Sequence, residues 1–483
     1  MIDRSRQYLL WGALLFIAGF PRVLAAFLLP NEEGDPYAYA QAIDMMRASL
    51  VGGTFTIAEL FGFWLPLYQF ICALITSVVG HPLYVAKVLS AICGTGVCLL
   101  VFQLSSVLTA SKRFALLAFA LIALNPIHVM YSAFSMSDVP HALMVMSSLY
   151  FAIKNRWVLA AAFVAVGGLM RPESWLFIVL LPALQLFLHR RVSVTSLLIS
   201  LSAPLIWLYI SWSATGNALE YFDVRSDYVR DLLARDAGLA SFSWRAVFAN
   251  LQTLLYSTGH AVLIACLLAL LLLIWRMRSR SNRRFESSGS LPSILAYFFS
   301  SLAFLLAAYF TRNQPAIFAR YCLVLFALGL PVLAWMFVTT ADWKPARART
   351  LCGLLVGLCV WQWAVQLRDG AAFINLIQEK RIVADYLRGQ LIVGSNRRVF
   401  CDDDTIKLMA GIPSDSFVRS SGSPSESRSF VDYLKENQVE FVVYEGGSVA
   451  QQAFRDLGEV AIDGYFQLVA STETDLRLYR TTF

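Results

Sequence analysis

Two acidic residues that introduce apolar helix patterns are the side chains in this sequence best placed to do chemistry. Asp35 stands before Pro36, shortly after the first apolar segment. Asp138 precedes a later apolar segment that begins at Pro140. Either acid also suits the N-cap of a helix, and capping is the alternative role for each. A pair of such carboxylates can hold a divalent metal ion, or divide the base and orienting roles of a catalytic site.

Arginine, histidine and tyrosine accompany the two acids. Arg171 and Glu173 flank Pro172 between two apolar segments, and Arg320 with Tyr321 enters a later one. The planar fork of an arginine suits phosphate, whereas the alternatives are an Arg171–Glu173 ion pair and a snorkelling Arg320. His141 can reach the site of Asp138 or be structural. The candidate substrate-binding residues are therefore Tyr37, Tyr39, His141, Arg171, Glu173, Arg320 and Tyr321.

The composition identifies a polytopic α-helical membrane protein. Hydrophobic residues make up 58% and charged residues 15% of the 483 positions, whereas soluble proteins carry about 25% charged residues. The net charge of +7 comes from basic residues in short connectors, which is typical of topology signals and argues against nucleic acid as a partner. Seven of the eight cysteines lie in apolar runs, so the spacing predicts neither a disulfide framework nor a metal site.

Apolar runs predict about eleven transmembrane helices. They lie near residues 8–29, 83–109, 115–132, 140–153, 157–170, 174–188, 193–213, 251–275, 291–310, 318–340 and 350–367. A further run, 61–79, carries Pro66, and we predict that it is re-entrant or lies on the surface. All basic clusters then share one side with the N-terminus, and the positive-inside rule makes that side the cytoplasm.

The same topology brings the candidate residues to the outer side of a plasma (inner) membrane. We predict two domains: a transmembrane domain, 1–368, whose outer loop 30–80 carries surface helices, and an extracytoplasmic α/β domain, 369–483. In the second domain alternation predicts strands at 398–401 and 440–444 and a terminal hairpin at 466–470 and 476–479. The Ser/Gly/Pro-rich segment 414–429 predicts a loop. We interpret the acidic run 402–404 as a solvated strand end and helix cap rather than a cation site.

These motifs together resemble membrane glycosyltransferases of the GT-C fold, and in particular protein O-mannosyltransferases and lipid A aminoarabinose transferases. The resemblance covers the order of segments along the whole chain. In such families the first-loop acid commonly reads Asp-Glu, whereas Pro36 takes the second place here, and the second-loop acid is often Glu rather than Asp138. The motifs that carry the resemblance are Gly34-Asp35-Pro36-Tyr37, Ser137-Asp138, Met170-Arg171-Pro172-Glu173 and Ala319-Arg320-Tyr321.

The resemblance implies transfer of a hexosyl or pentosyl group from a polyprenyl-phosphate-linked donor to a hydroxyl of a glycan, lipid or protein acceptor, with inversion. Asp35 would be the base, and Asp138 would orient the acceptor or hold a divalent metal with Asp35. Arg320 first, then Arg171, would bind the carrier phosphate, whose charge needs fixed cations. The lipid bilayer is an obligatory partner, because the carrier's apolar tail lies in it.

Two other functions would also use charges near a membrane. A transporter or flippase of lipid-linked sugars would typically show an internal repeat with matching broken helices, and we see neither in the sequence. A non-catalytic subunit that binds glycan would be expected to lack the first-loop acid, which is present here as Asp35.

Overall fold

The structure, a computed structural model, forms two compact units. It describes residues 4–31, 34–235, 243–278, 290–313, 316–341, 345–390, 398–401, 403–410, 416–418, 427–445, 450–451, 453–454, 462, 465–472 and 476–482. The first unit contains Met1–Leu29 and Ala42–Leu367, and the second contains Pro30–Gln41 and Arg368–Phe483. We predict residues 30–41 within the transmembrane domain, but in the structure they pack with residues of the C-terminal part of the chain.

Helices make up the first unit, and two of them, α2 and α16, extend into the second. Their bounds are α1 (Arg4–Leu28), α2 (Asp35–Gly52), α3 (Leu67–Val79), α4 (Pro82–Thr109), α5 (Lys112–Ala123), α6 (Pro126–Tyr131), α7 (Asp138–Ile153), α8 (Trp157–Gly168), α9 (Leu176–His189), α10 (Val194–Thr215), α11 (Glu220–Arg235), α12 (Trp244–Thr258), α13 (His260–Arg278), α14 (Ser290–Phe310), α15 (Leu323–Ala341) and α16 (Pro345–Gln390). Short 3-10 helices lie at Ile57–Leu60, Pro172–Trp175 and Ala319–Cys322.

Helix α15 lies at the centre of this unit. Its residues are almost all buried, and it packs against α4, α5, α7, α13 and α14. A helix that is apolar on every side must be surrounded, because no face of it suits water. It is preceded by the 3-10 helix that carries Arg320 and Tyr321, so the most enclosed helix of the unit also places two candidate site residues.

The membrane-spanning character is shown by helix length and hydropathy. Among the described residues six helices are long and apolar enough to cross a membrane, or seven if the bent pair α12–α13 is one span. The count of about eleven stays a prediction. Helix α3 has only 13 residues, which span about 20 Å, less than the hydrocarbon thickness of about 30 Å. Whether residues 61–79 cross the membrane also stays a prediction.

Two predicted spans are broken in the structure. The span predicted at 251–275 bends by 88° between α12 and α13, where Gly259 has a φ of +89° that favours glycine. The span predicted at 115–132 divides into α5 and α6, because the Asn125 side chain accepts a hydrogen bond from the His128 amide and begins a new helix at Pro126. Average hydropathy does not register either local feature.

The second unit contains a five-stranded sheet, in the order β2-β1-β3-β5-β4. The strands are β1 (Arg398–Phe400), β2 (Phe417–Val418), β3 (Val439–Tyr444), β4 (Phe466–Ser471) and β5 (Arg477–Thr481). β1 pairs in parallel with β2 and β3, whereas β5 pairs antiparallel with β3 and β4. The predicted strands and terminal hairpin are therefore confirmed. The prediction of a loop throughout 414–429 is wrong at β2, because a strand of two residues is too short to show alternation, and at 427–429, where a helix begins at Ser427.

Helices cover both faces of this sheet. On one face Val383, Ala384 and Leu387 of α16 pack with α17 (Asp404–Ala410) and with Phe441 and Val443 of β3. On the other face α18 (Ser427–Glu436) packs against β3 through Phe430 and Leu434. Alternate residues of β3 thus enter opposite cores, as a strand between two helical layers requires. Leu457, which we predict on a helix face with Ala450 and Phe454, lies outside the described residues.

Candidate active site in the membrane unit

Six of the predicted site residues meet around one small cavity of the first unit. The cavity has a volume of about 50 Å3, which is room for only one or a few water molecules. These six come from three separate stretches of sequence, at the start of α7 and just before α9 and α15, and α14 supplies further lining residues. The lining residues are Asp138, His141, Arg171, Glu173, Leu176, Phe177, Ser301, Phe304, Leu305, Ala308, Arg320, Tyr321 and Val324.

Asp138 directs its carboxylate at an arginine rather than at the helix amides. It is the first residue of α7, and Ser137 before it is the N-cap residue, without a side-chain hydrogen bond to the helix amides. Asp138 Oδ1 accepts a hydrogen bond of 2.6 Å from Arg171 Nη1, and only 4% of the residue is exposed. Its Oδ2 has no hydrogen-bond partner among the described residues. A buried carboxylate oxygen without a donor is costly, so this atom is a candidate for contact with a substrate.

Arg171 connects two carboxylates. Its Nη2 and Nε donate to Glu173 Oε1 and Oε2 over 2.8 and 3.2 Å, in addition to the bond to Asp138. Pro172 restricts Arg171 to the extended conformation that is observed, with φ −150° and ψ 138°. The pairing with Glu173, an alternative from the sequence, is therefore present. The fork that would bind a phosphate is directed instead at the two acids.

Arg320 and Tyr321 complete one wall of the cavity. The ring of Tyr321 lies between two guanidinium groups, with its centroid 5.0 Å from Arg171 Cζ and 5.3 Å from Arg320 Cζ. The Arg320 guanidinium also lies 5.1 Å from the ring of Phe318. Such cation–π contacts contribute about 0.5–1 kcal/mol each at exposed sites. They orient Arg320 without using its N–H donors.

His141 contributes a second buried polar atom to the cavity. It lies one helical turn after Asp138 on α7 and is 5% exposed. Its Nε2 has no hydrogen-bond partner within the part of the chain that the structure describes. The cavity is therefore lined by an acceptor at Asp138, a histidine nitrogen at His141 and the positive charge of Arg320.

A larger cavity adjoins the first and involves a helix to which we assign no role from the sequence. It has a volume of about 710 Å3, within the usual range for ligand pockets. It shares Glu173, Phe304 and Ala308 with the small cavity and is lined from α11 by residues that include Arg225. Arg225 Nη1 donates to the Tyr221 hydroxyl over 3.2 Å, and burial of Tyr221 raises the pKa of its hydroxyl. The mixture of aromatic and charged residues at 221–235 predicts a surface helix on the outer side without a specific role, and the helix itself is confirmed as α11.

Asp35, Tyr37 and Tyr39 belong to the second unit. Helix α2 begins at Asp35, and the carbonyl of Gly34 accepts from the amides of Tyr37 and Ala38 over 3.0 and 3.3 Å. Tyr37 and Tyr39 are 7% and 2% exposed, and burial raises the pKa of Tyr37 to about 12. These tyrosines anchor the segment, and their binding role stays a prediction.

Metal binding by Asp35 and Asp138 also stays a prediction. Among the described residues no group of three or more histidine, cysteine and acidic side chains is arranged to hold a metal ion. Asp138 has one oxygen occupied by Arg171 and the other without a partner from the described protein residues. That second oxygen could serve as one ligand.

The fold and a partial sequence match define the class of this protein, a multi-pass membrane protein with the GT-C glycosyltransferase fold. Residues 65–213 match the family described as dolichyl-phosphate-mannose-protein mannosyltransferase. No curated protein sequence matches the chain.

The solved structures to which the chain is similar include two of ArnT from Cupriavidus metallidurans. The structure bound to undecaprenyl phosphate is 14% identical in sequence, with a TM-score of 0.57, and the apo structure is 11% identical, with a TM-score of 0.60. Each match covers 99% of this chain and 98% of the ArnT chain. The likeness over both whole chains establishes the fold.

Proposed function

We propose that this protein transfers a sugar from a polyprenyl-phosphate carrier to a hydroxyl acceptor at the outer face of the plasma membrane, with inversion. The observation that carries the proposal is the cavity that Asp138 and Arg320 both line, where Asp138 Oδ2 has no hydrogen-bond partner among the described residues. The similar fold of ArnT with undecaprenyl phosphate bound supports a polyprenyl-phosphate donor.

The reaction exchanges one bond at the anomeric carbon for another. The acceptor oxygen attacks this carbon, the bond to the phosphate oxygen breaks, and the lipid phosphate leaves with the electron pair. Attack opposite the leaving group needs a base on that side, and Asp35 takes the hydroxyl proton. Asp138 orients the acceptor through its second oxygen. The phosphate carries its charge away without a proton, so a fixed cation stabilises it.

Arg320 and Arg171 have different roles in this proposal. Arg320 binds the carrier phosphate, since cation–π contacts with Phe318 and Tyr321 orient it toward the cavity. Arg171 already donates to Asp138 and Glu173 from three nitrogens. It therefore fixes the positions of the two carboxylates. His141 and Tyr321 contact the sugar, and the larger cavity beside Glu173 admits the acceptor.

The decisive experiment incubates purified full-length protein with a panel of polyprenyl-phosphate hexoses and pentoses and candidate glycan, lipid and protein acceptors. Release of polyprenyl phosphate with one donor supports transfer. Movement of the intact donor across a reconstituted bilayer without release would favour the flippase, and glycan binding without release would favour a non-catalytic subunit. Repeating the active assay with a chelator, followed by Mg²⁺ or Mn²⁺, tests a divalent cofactor.

The outer-face location requires a cytoplasmic N-terminus and an extracytoplasmic C-terminal domain. The seven cysteines that the structure describes with their surroundings are buried, so background labelling by an impermeant thiol reagent is low. Cysteines introduced at Val79 and Asp369 should react from outside, whereas one at Arg113 should not. Outside labelling at Arg113 would overturn this topology.

A further inference from the structure

The residue before the proposed base is bonded to the C-terminal part of the chain. The Gly34 amide donates to Thr405 Oγ1 over 2.8 Å, across a separation of 371 residues. Both residues belong to the second unit. Gly34 has a φ of +76°, a conformation that suits glycine, and the Gly34 carbonyl in turn begins α2. The position of Asp35 at the start of α2 is thus fixed through both the amide and the carbonyl of the preceding residue, Gly34.

Thr405 is itself held by a helix cap. It is fully buried and is the second residue of α17. Asp403 Oδ1 accepts from the Thr405 amide over 2.6 Å and from the Ile406 amide over 3.2 Å. An aspartate that caps in this way fixes the direction of the first helical turn. Thr405 therefore presents its hydroxyl at a defined position.

A buried ion cluster holds Asp403. Asp403 Oδ2 accepts from the Lys380 ammonium of α16, whose side chain is 0% exposed, and Lys380 Nζ lies 2.6 Å from Glu445 Oε1, directly after β3. Burial alone would raise the pKa of Asp403, but Lys380 holds it below its ordinary value. The cluster joins α16, α17 and the end of β3 at one point.

We propose that Thr405, held by the cluster of Lys380, Asp403 and Glu445, is a positioning residue for Asp35. The proposal rests on the proposed function, in which Asp35 is the base. A buried ion pair adds little net stability, but separating its partners leaves a buried charge without compensation. A cluster in which every charge is paired therefore favours a single arrangement of its residues. A base misplaced by about 1 Å can lose about a hundredfold in rate, which gives such an arrangement a functional consequence.

The test compares three single variants of the full-length protein in detergent. Thr405→Val keeps the shape but removes the oxygen that accepts from Gly34, whereas Thr405→Ser keeps that oxygen. Thr481→Val is the matched control, because Thr481 Oγ1 donates to the Val439 carbonyl over 2.8 Å elsewhere in the same unit. Each variant is measured for kcat, KM of the donor, thermal midpoint and hydrogen exchange of the peptide that contains Gly34.

In Thr405→Val we expect faster exchange at Gly34 and a kcat reduced about ten- to a hundredfold, with little change in the KM of the donor. Thr405→Ser should recover most of kcat, and Thr481→Val should change only the thermal midpoint. An unchanged kcat in Thr405→Val, with an active wild type, would overturn the positioning role and leave the proposed function standing. If the wild type releases no polyprenyl phosphate, the proposed function itself fails. Unchanged hydrogen exchange at Gly34 in Thr405→Val would overturn the role of Thr405 in holding the Gly34 amide.

Discussion

Two ion clusters in this molecule have the same composition, one cation between two carboxylates, and differ in what surrounds them. In the first unit Arg171 lies between Asp138 and Glu173, over 2.6 and 2.8 Å. In the second unit Lys380 lies between Asp403 and Glu445. The first cluster borders a cavity, and the arginine side chain retains 13% exposure, whereas the lysine side chain retains none.

The difference lies in how each aspartate uses its oxygens. In Asp403 one carboxylate oxygen accepts hydrogen bonds from two helix amides, and the other accepts from Lys380. Asp138 gives one oxygen to Arg171 and keeps the other without a partner among the described residues, at the cavity. We call the cluster of Lys380, Asp403 and Glu445 the closed cluster and the site of Arg171, Asp138 and Glu173 the open site. A closed cluster fixes structure, whereas an open site leaves a polar atom for a substrate. The planar fork of Arg171 binds two acids while its Cζ lies 5.0 Å from the centroid of the Tyr321 ring, and lysine has no such fork.

The largest effect should come from Asp35, whose position the closed cluster is proposed to fix. Asp35→Asn should reduce turnover by about two to four orders of magnitude, because the base is lost. Asparagine serves a helix N-terminus as well as aspartate, so folding should be retained. The measurement is release of polyprenyl phosphate, with Asp44→Asn, an exposed residue on the same helix, as the control. Near-normal transfer by folded Asp35→Asn would reduce Asp35 to a helix-terminal residue.

Breaking the closed cluster should cost stability first. Lys380→Met leaves the buried carboxylate of Asp403 and the partly exposed one of Glu445 without their cation, which should lower the free energy of unfolding by about 3–5 kcal/mol. Arg381→Met, at the neighbouring exposed position, is the control. The thermal midpoint of the full-length chain measures both. Equal midpoints for the two variants would mean that the cluster does not hold the second unit together.

At the open site Arg320→Lys should reduce kcat/KM for the lipid donor about tenfold or more, because the charge stays but the fork is lost. Donor titrations of the purified variant measure this. Arg171→Lys should instead lower expression and the thermal midpoint, since its fork binds Asp138 and Glu173. Unchanged donor kinetics in both variants would remove the phosphate site and reopen the transporter and glycan-binding functions.

The smallest effect concerns pH at the closed cluster. Burial, and then the charge of Asp403, raise the pKa of Glu445 from 4.5 to about 7, against the attraction of Lys380. The folded state therefore holds a proton that the unfolded state releases between these pH values, and stability should fall as pH rises through them. Glu445→Gln should abolish this fall. Thermal midpoints of both proteins from pH 5 to pH 8 test it, and parallel profiles would contradict it.

Two features of the sequence correspond to the cluster of Lys380, Asp403 and Glu445. Lys380 shares a helix face with Val383, Ala384 and Leu387, all of them buried, so a lysine interrupts an apolar stripe of α16. The acidic run 402–404 predicts a solvated helix cap. The cap is confirmed at Asp403, but the prediction that it is solvated is wrong there, because the Asp403 side chain is buried and paired with Lys380. Neither pattern identifies the partner, since the pairing depends on how α16 lies on the sheet.

What the sequence determined by itself is local: apolar runs fix the membrane class, alternation fixes β3 and the β4–β5 hairpin, and acids before proline mark the helix starts at Asp35 and Asp138. These patterns depend on neighbours a few residues apart. The tertiary structure alone decided that Asp138 bonds to Arg171, 33 residues away, and Gly34 to Thr405, 371 residues away. Hydropathy specifies which faces are buried but not which buried faces meet, because many pairings bury similar apolar area and only packing geometry distinguishes them.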